Sequence, residues 1–169
     1  MFTGNIRQPA LAALVALVVW APGLGASTSA GNVAVSVTVS AAAKLALGVS
    51  TITFVNADPD LVAAIPASEG AIAITAKAKT ATGALVTLTV IANNDLASGL
   101  DAIAITNVKW TASGAGFTAG TLSKTAAQTV ASWSGSGART GSQSYALTNN
   151  WSYPTGIFSA TATYTLTAP

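Results

Sequence analysis

Residues Ile157 to Pro169 read IFSATATYTLTAP, and the alternation in this stretch decides the fold class. Phe158, Ala160, Ala162, Tyr164 and Leu166 fall on one face, and Ser159, Thr161, Thr163, Thr165 and Thr167 on the other. A period of two with one apolar face is the pattern of a half-buried strand. The unbroken alternation predicts one long strand laid into an already specified sheet.

The same period recurs upstream. Asn32 to Ser40, NVAVSVTVS, sets Val33, Val35, Val37 and Val39 against Ala34, Ser36, Thr38 and Ser40, and predicts the first strand. Lys44 to Gly48 and Thr51 to Val55 predict a short strand, a glycine turn and another strand. Asn56 to Pro66 predicts a loop in which Asp58-Pro59-Asp60 turns the chain and Pro66 stops at most one helical turn. Ala71 to Lys79 alternates again, Thr80 to Gly83 predicts a hairpin loop, and Ala84 to Ala92 predicts a central strand, apolar on both faces. Ile103, Ile105, Val108 and Trp110 fall out of phase near Thr106, which predicts a strand with a bulge. Between Ala112 and Gly141 spaced glycines predict short strands and turns. Tyr145 to Leu147 predicts a strand, Asn149-Asn150 a turn, and Trp151 to Gly156 a corner. The whole predicts an all-β fold, an antiparallel β-sandwich of about eight to ten strands.

The 169 residues predict a single domain, Ser27 to Pro169, preceded by a signal peptide over residues 1–26. Arg7 precedes an apolar run from Ala10 to Trp20, and Pro22-Gly23 and small residues follow, with cleavage expected between positions 25 and 30. The expected product is secreted to the cell surface or the medium and carries no membrane span. Without Arg7, six Lys and Arg face five Asp and Glu, a net charge near +1. Such a balance implies no nucleic-acid partner. A chain with no Cys must hold itself together by packing and sheet hydrogen bonds. With only 7% charged residues, its surface of Thr, Ser and Ala tolerates self-association.

The chain has no His and no Cys, which removes the usual general base, the thiolate nucleophile and most zinc ligand sets. Five carboxylates remain, Asp58, Asp60, Glu69, Asp95 and Asp101. The turn contexts of Asp58, Asp60 and Asp95 predict capping and Asx-turn roles. No catalytic residue, cofactor or metal site is therefore expected. Asn56, Asp58 and Asp60 present oxygens at every second position, but with no following Gly and no bidentate acid a solvated Asp-Pro turn is the expectation. Asn150-Trp151-Ser152 fits an N-glycosylation pattern that has chemical meaning only in a eukaryotic secretory pathway. Trp110, Trp133, Tyr145, Trp151, Tyr153 and Phe117 crowd the second half. Their expected role is to fill a core otherwise built from Ala and Val. Trp151 and Tyr153 stand in a turn and are the candidates for stacking on a sugar.

Tyr164-Thr165-Leu166 near Pro169, and Val86-Thr87-Leu88 in the central strand, resemble the two Trp-x-Leu motifs of the WxL domains of bacterial cell-surface proteins. Val86 and Tyr164 stand at the Trp positions, with Leu88 and Leu166 at the Leu positions. The resemblance implies an exported β domain that attaches noncovalently to the cell wall, with a wall polymer or other surface proteins as partners. The layout is also similar to that of secreted pilin-like subunits, with Val33 to Val39 as a strand donated to a neighbour. The expected function is thus a noncatalytic cell-surface or envelope structural protein. A filament subunit assembling by strand exchange and a carbohydrate-binding module are the alternatives.

Overall fold

The computed structural model describes Ser29 and residues 31–169; the expected signal peptide lies outside the described residues. Ten strands and one short 3-10 turn make up the described secondary structure. The strands are β1 (Ala42–Leu47), β2 (Ala64–Lys79), β3 (Leu85–Ala92), β4 (Leu96–Ser98) and β5 (Asp101–Ile103), followed by the turn Ile105–Asn107. Then come β6 (Val108–Ser113), β7 (Gly120–Thr121), β8 (Gln128–Ser134), β9 (Gly137–Thr148) and β10 (Ala162–Thr167). All pairing is antiparallel. A five-stranded sheet in the order β1-β2-β9-β6-β7 packs on a three-stranded sheet in the order β10-β3-β8, and β4 and β5 form a ribbon. The fold is an all-β sandwich.

Alternation explains which residues fill the space between the sheets. Val86, Leu88, Val90 and Ala92 of β3 are buried, as are Ile72, Ile74, Ala76 and Ala78 of β2 and Tyr145 and Leu147 of β9. Trp110 and Trp133 join them from β6 and β8. Two glycines make room for large rings. A Cβ on Gly120 would stand 2.3 Å from the Trp110 ring, and one on Gly141 would stand 2.5 Å from the Phe117 ring. Gly141 therefore lies inside the long strand β9, where it leaves space for Phe117, and does not end a short one as its spacing predicted.

Several expectations are corrected by this arrangement. Asn32 to Ser40 belongs to no strand, and Val33, Val35, Val37 and Val39 are 87%, 91%, 86% and 68% exposed. Alternation supplies the faces of a strand, but a strand exists only where a second edge accepts its hydrogen bonds. Thr51 to Val55 forms one isolated bridge, Phe54 with Ala67, and the Glu69 carboxylate accepts the Thr53 N–H at 2.8 Å. Pro66 does not stop a helical turn; it lies within β2, exposed, where the register with β9 shifts between Pro66 and Ala71. A proline is tolerated at such an irregularity because the ladder is already interrupted.

Thr80 to Gly83 is no hairpin loop. β2 and β3 lie in different sheets, so the turn, with Gly83 at φ 79°, carries the chain from one layer to the other. The phase break near Thr106 is the 3-10 turn and not a bulge. β3 buries one face only, with Leu85 exposed on the other. Finally, the last strand spans six residues. Before it, Ser159 and Ala97 exchange backbone bonds of 3.0 and 3.1 Å, and Asn93 offers its side-chain oxygen to the Thr161 N–H at 2.8 Å. The expected faces survive: Tyr164 and Leu166 turn inward, Thr163, Thr165 and Thr167 outward.

Candidate functional site

The loop after Asn56 and the corner after β9 converge. Asp58 accepts the Asp60 N–H on Oδ1 at 2.9 Å, an Asx turn, and its carbonyl accepts the N–H groups of Leu61 and Val62. Asn149 ties this loop down from the other side. Its Nδ2 donates to the carbonyls of Ala57 at 3.0 Å and Val62 at 2.9 Å, and its backbone N–H donates to the Ala63 carbonyl. Asn150 closes the next turn by accepting the Ser152 N–H at 2.8 Å.

On this scaffold stands Trp151, 69% exposed, whose indole Nε1–H donates to Asp60 Oδ1 at 3.0 Å. One hydrogen bond thus aims a ring that packing leaves uncovered, with exposed Leu61 in the same loop as Asp60. Tyr153, its expected companion, packs against the core, and burial raises its phenol above the usual range. The expectation that all the large rings fill the core holds for Trp110, Trp133 and Tyr145 and fails for Trp151. Trp151 follows a turn, and its polar edge finds its partner at the surface.

The four positions that resemble the Trp-x-Leu motifs face inward. Val86 and Leu88 are fully buried; Tyr164 and Leu166 are half-buried. Leu166 lies directly opposite Leu88 in the β10–β3 ladder. Contact with a polymer through these side chains would require the inner face of the small sheet to open.

Asp95 and Glu69 each hold a backbone N–H of a distant segment. Asp95 accepts the Ile105 N–H at 3.0 Å and pairs with Lys124 at 2.5 Å. The Lys124 ammonium first, and the Ile105 N–H second, hold its carboxyl below the usual range. Glu69 is likewise lowered, by the Thr53 N–H. Among the described residues no three His, Cys, Asp or Glu side chains gather as metal ligands, and no helix is long and apolar enough to cross a membrane.

Two arrangements had little signal in the sequence. Asp60 and Trp151 are 91 residues apart, and nothing local pairs them. The other is a polar cluster in the core. Gln143, fully buried, receives on Oε1 the hydroxyls of Tyr145 and Tyr164. The period of two, carried back from Leu147 through Tyr145, would have placed Gln143 inside.

No family model matches the chain, and neither a curated protein nor a solved structure matches it.

Proposed function

We propose that the chain is a noncatalytic structural protein of the cell surface or envelope that assembles with its own copies by strand exchange. The observation that supports this reading is the state of Val33 to Val39. The segment with the clearest strand pattern belongs to no strand, and all four of its valines are exposed. Each valine gains about 1.5 to 3 kcal/mol when fully buried. A β-prone run without charge or proline is an aggregation hazard when left open, and adding it to a neighbour's sheet removes the hazard.

The test is light scattering of the chain from Ser27, beside the same chain carrying Val35→Asp and a version starting at Ala41. Oligomers that grow with concentration in the first and vanish in the other two are expected. Equal size in all three would remove the reading.

A second reading has its own observation, the exposed Trp151 ring held by Asp60. A flat indole with a polar edge offers an apolar face to the C–H groups of a sugar. Binding of a wall polysaccharide there would give the attachment that the WxL resemblance implies. Fluorescence titration with wall oligosaccharides checks it: Trp151→Ala should abolish the response while the melting point stays within a few degrees. An undiminished response in that variant would exclude Trp151 as the platform.

A further inference from the structure

Resting on the strand-exchange reading, we propose that the acceptor of Val33 to Val39 is the outer edge of β10 in a second copy. The incoming segment becomes the fourth strand of the small sheet.

The two flanks of the sandwich differ. On one, Gly116 to Thr118 runs along β8: the Thr118 N–H donates to the Val130 carbonyl at 2.9 Å, and the Ser132 N–H to the Gly116 carbonyl at 3.0 Å. That edge is occupied. On the other flank β10 pairs with β3 and, among the described residues, with no second strand. The Asn93 N–H donates to the Thr161 carbonyl at 2.9 Å, so Thr161 bonds toward β3. By the antiparallel alternation Thr163, Thr165 and Thr167 do the same, which leaves the N–H and C=O groups of Ala162, Tyr164 and Leu166 pointing outward. They form a template for one more strand.

The core is thinnest on that flank. Val86, Leu88 and Val90, one strand further in, are fully buried, whereas Tyr164 and Leu166 of β10 and Leu45 just beyond β1's start are only half-buried. β1 lies against β10 there. A strand added to β10 would lay its valines over these side chains and set Ala34, Ser36 and Thr38 beside the outward threonines of β10. The lengths agree, seven residues from Val33 to Val39 against the six of β10.

The outer edge of β1 is the competing acceptor. A strand there would widen the five-stranded sheet beyond its three-stranded partner, leaving the valines with no facing layer. It would also extend a surface on which Lys44 already stands opposite Lys77, a like-charge pair.

The chain has no cysteine, so single cysteines report proximity without background. Full-length chains carrying Ala34→Cys, Ser36→Cys or Thr38→Cys and a size tag are mixed with untagged chains carrying Thr163→Cys, Thr165→Cys or Ala46→Cys, then mildly oxidised. The best β10 pairing should give roughly ten times more mixed disulfide dimer than any pairing with Ala46→Cys, because the bond needs Cβ atoms about 3.5 to 4.5 Å apart. Oligomers that cross-link through Ala46→Cys and not through β10 would overturn the acceptor and leave strand exchange standing. Chains that never oligomerise would overturn both.

Discussion

Tyr145 of β9 and Tyr164 of β10, on strands of opposite sheets, bring their hydroxyl oxygens to 2.5 Å, and both reach Oε1 of the buried Gln143. The contact joins the two layers through polar atoms in a core that is otherwise apolar. Tyr145 also packs on Trp110, with ring centroids 5.9 Å apart. Gln143 Nε2 has no partner among the described residues. The cluster therefore carries one desolvated donor alongside its hydrogen bonds.

Removing one hydroxyl should be felt. Tyr164→Phe keeps the ring and removes one of the two hydroxyls that bond the buried Gln143 Oε1, at a cost of about 1 to 2 kcal/mol. Urea unfolding measures it, and an unchanged midpoint would mean that water already serves these groups.

The same phenols make the fold sensitive to alkali. Burial, the first cause for each, raises both Tyr145 and Tyr164 above the usual value of 10.0. A group raised in the folded state contributes stability that is whole below its unfolded pKa and is lost as pH rises toward the folded one. Stability should therefore hold up to about pH 10 and fall above it. Phenolate absorbance from these two rings should appear together with loss of the fold, and independent titration near pH 10 would contradict their burial.

Acid should act through Asp95, with the opposite sign. Its carboxyl is held below the usual 3.8 by Lys124 and the Ile105 N–H, so its contribution is whole above that value and is lost as pH falls through the lower folded one. Asp95→Asn should flatten the decline of the melting point below about pH 4. Glu69, lowered in the same direction, should keep some of the slope.

Gly141→Ala should destabilise by about 1 to 3 kcal/mol, because the new methyl would meet both the Phe117 ring and, at 2.6 Å, the backbone carbonyl of Ser113 on β6. Phe117→Leu in the same chain should return only the part of the loss due to the ring. A Gly141→Ala variant as stable as the parent would show that both the ring and the β6 backbone shift freely.

Deleting Ile157 to Pro169 removes Tyr164, Leu166 and the ladder that covers one side of β3. Both side chains are only half-buried, so each gives up less than the about 1.5 to 3 kcal/mol of a fully covered side chain, but the loss adds to the N–H and C=O groups of β3 left without partners, against the 5 to 15 kcal/mol that holds a typical domain. The shortened chain should be unfolded or aggregated by circular dichroism, while Thr163→Val, on the exposed face, should stay within about 0.5 kcal/mol of the parent. A shortened chain with the parent's midpoint would show that β10 adds nothing to the fold.

The sequence by itself determined the β class, the inward faces of β2 and β10 and the Asx turn at Asp58. Each of these is written within a few residues, as a period of two or as a side chain bonding its own backbone. Only the tertiary structure decided what each element meets. Val33 to Val39 and Ala162 to Thr167 show the same alternation, yet the second pairs with β3 and the first belongs to no described strand. Thr80 to Gly83 has the composition of a hairpin loop and instead crosses between sheets. Trp110, Trp133 and Trp151 are one residue type; the first two are buried under strands, and the third is aimed outward by Asp60, far away in sequence. Alternation states which side of a strand is apolar, whereas pairing depends on which edge lies alongside. That edge is supplied by distant parts of the chain.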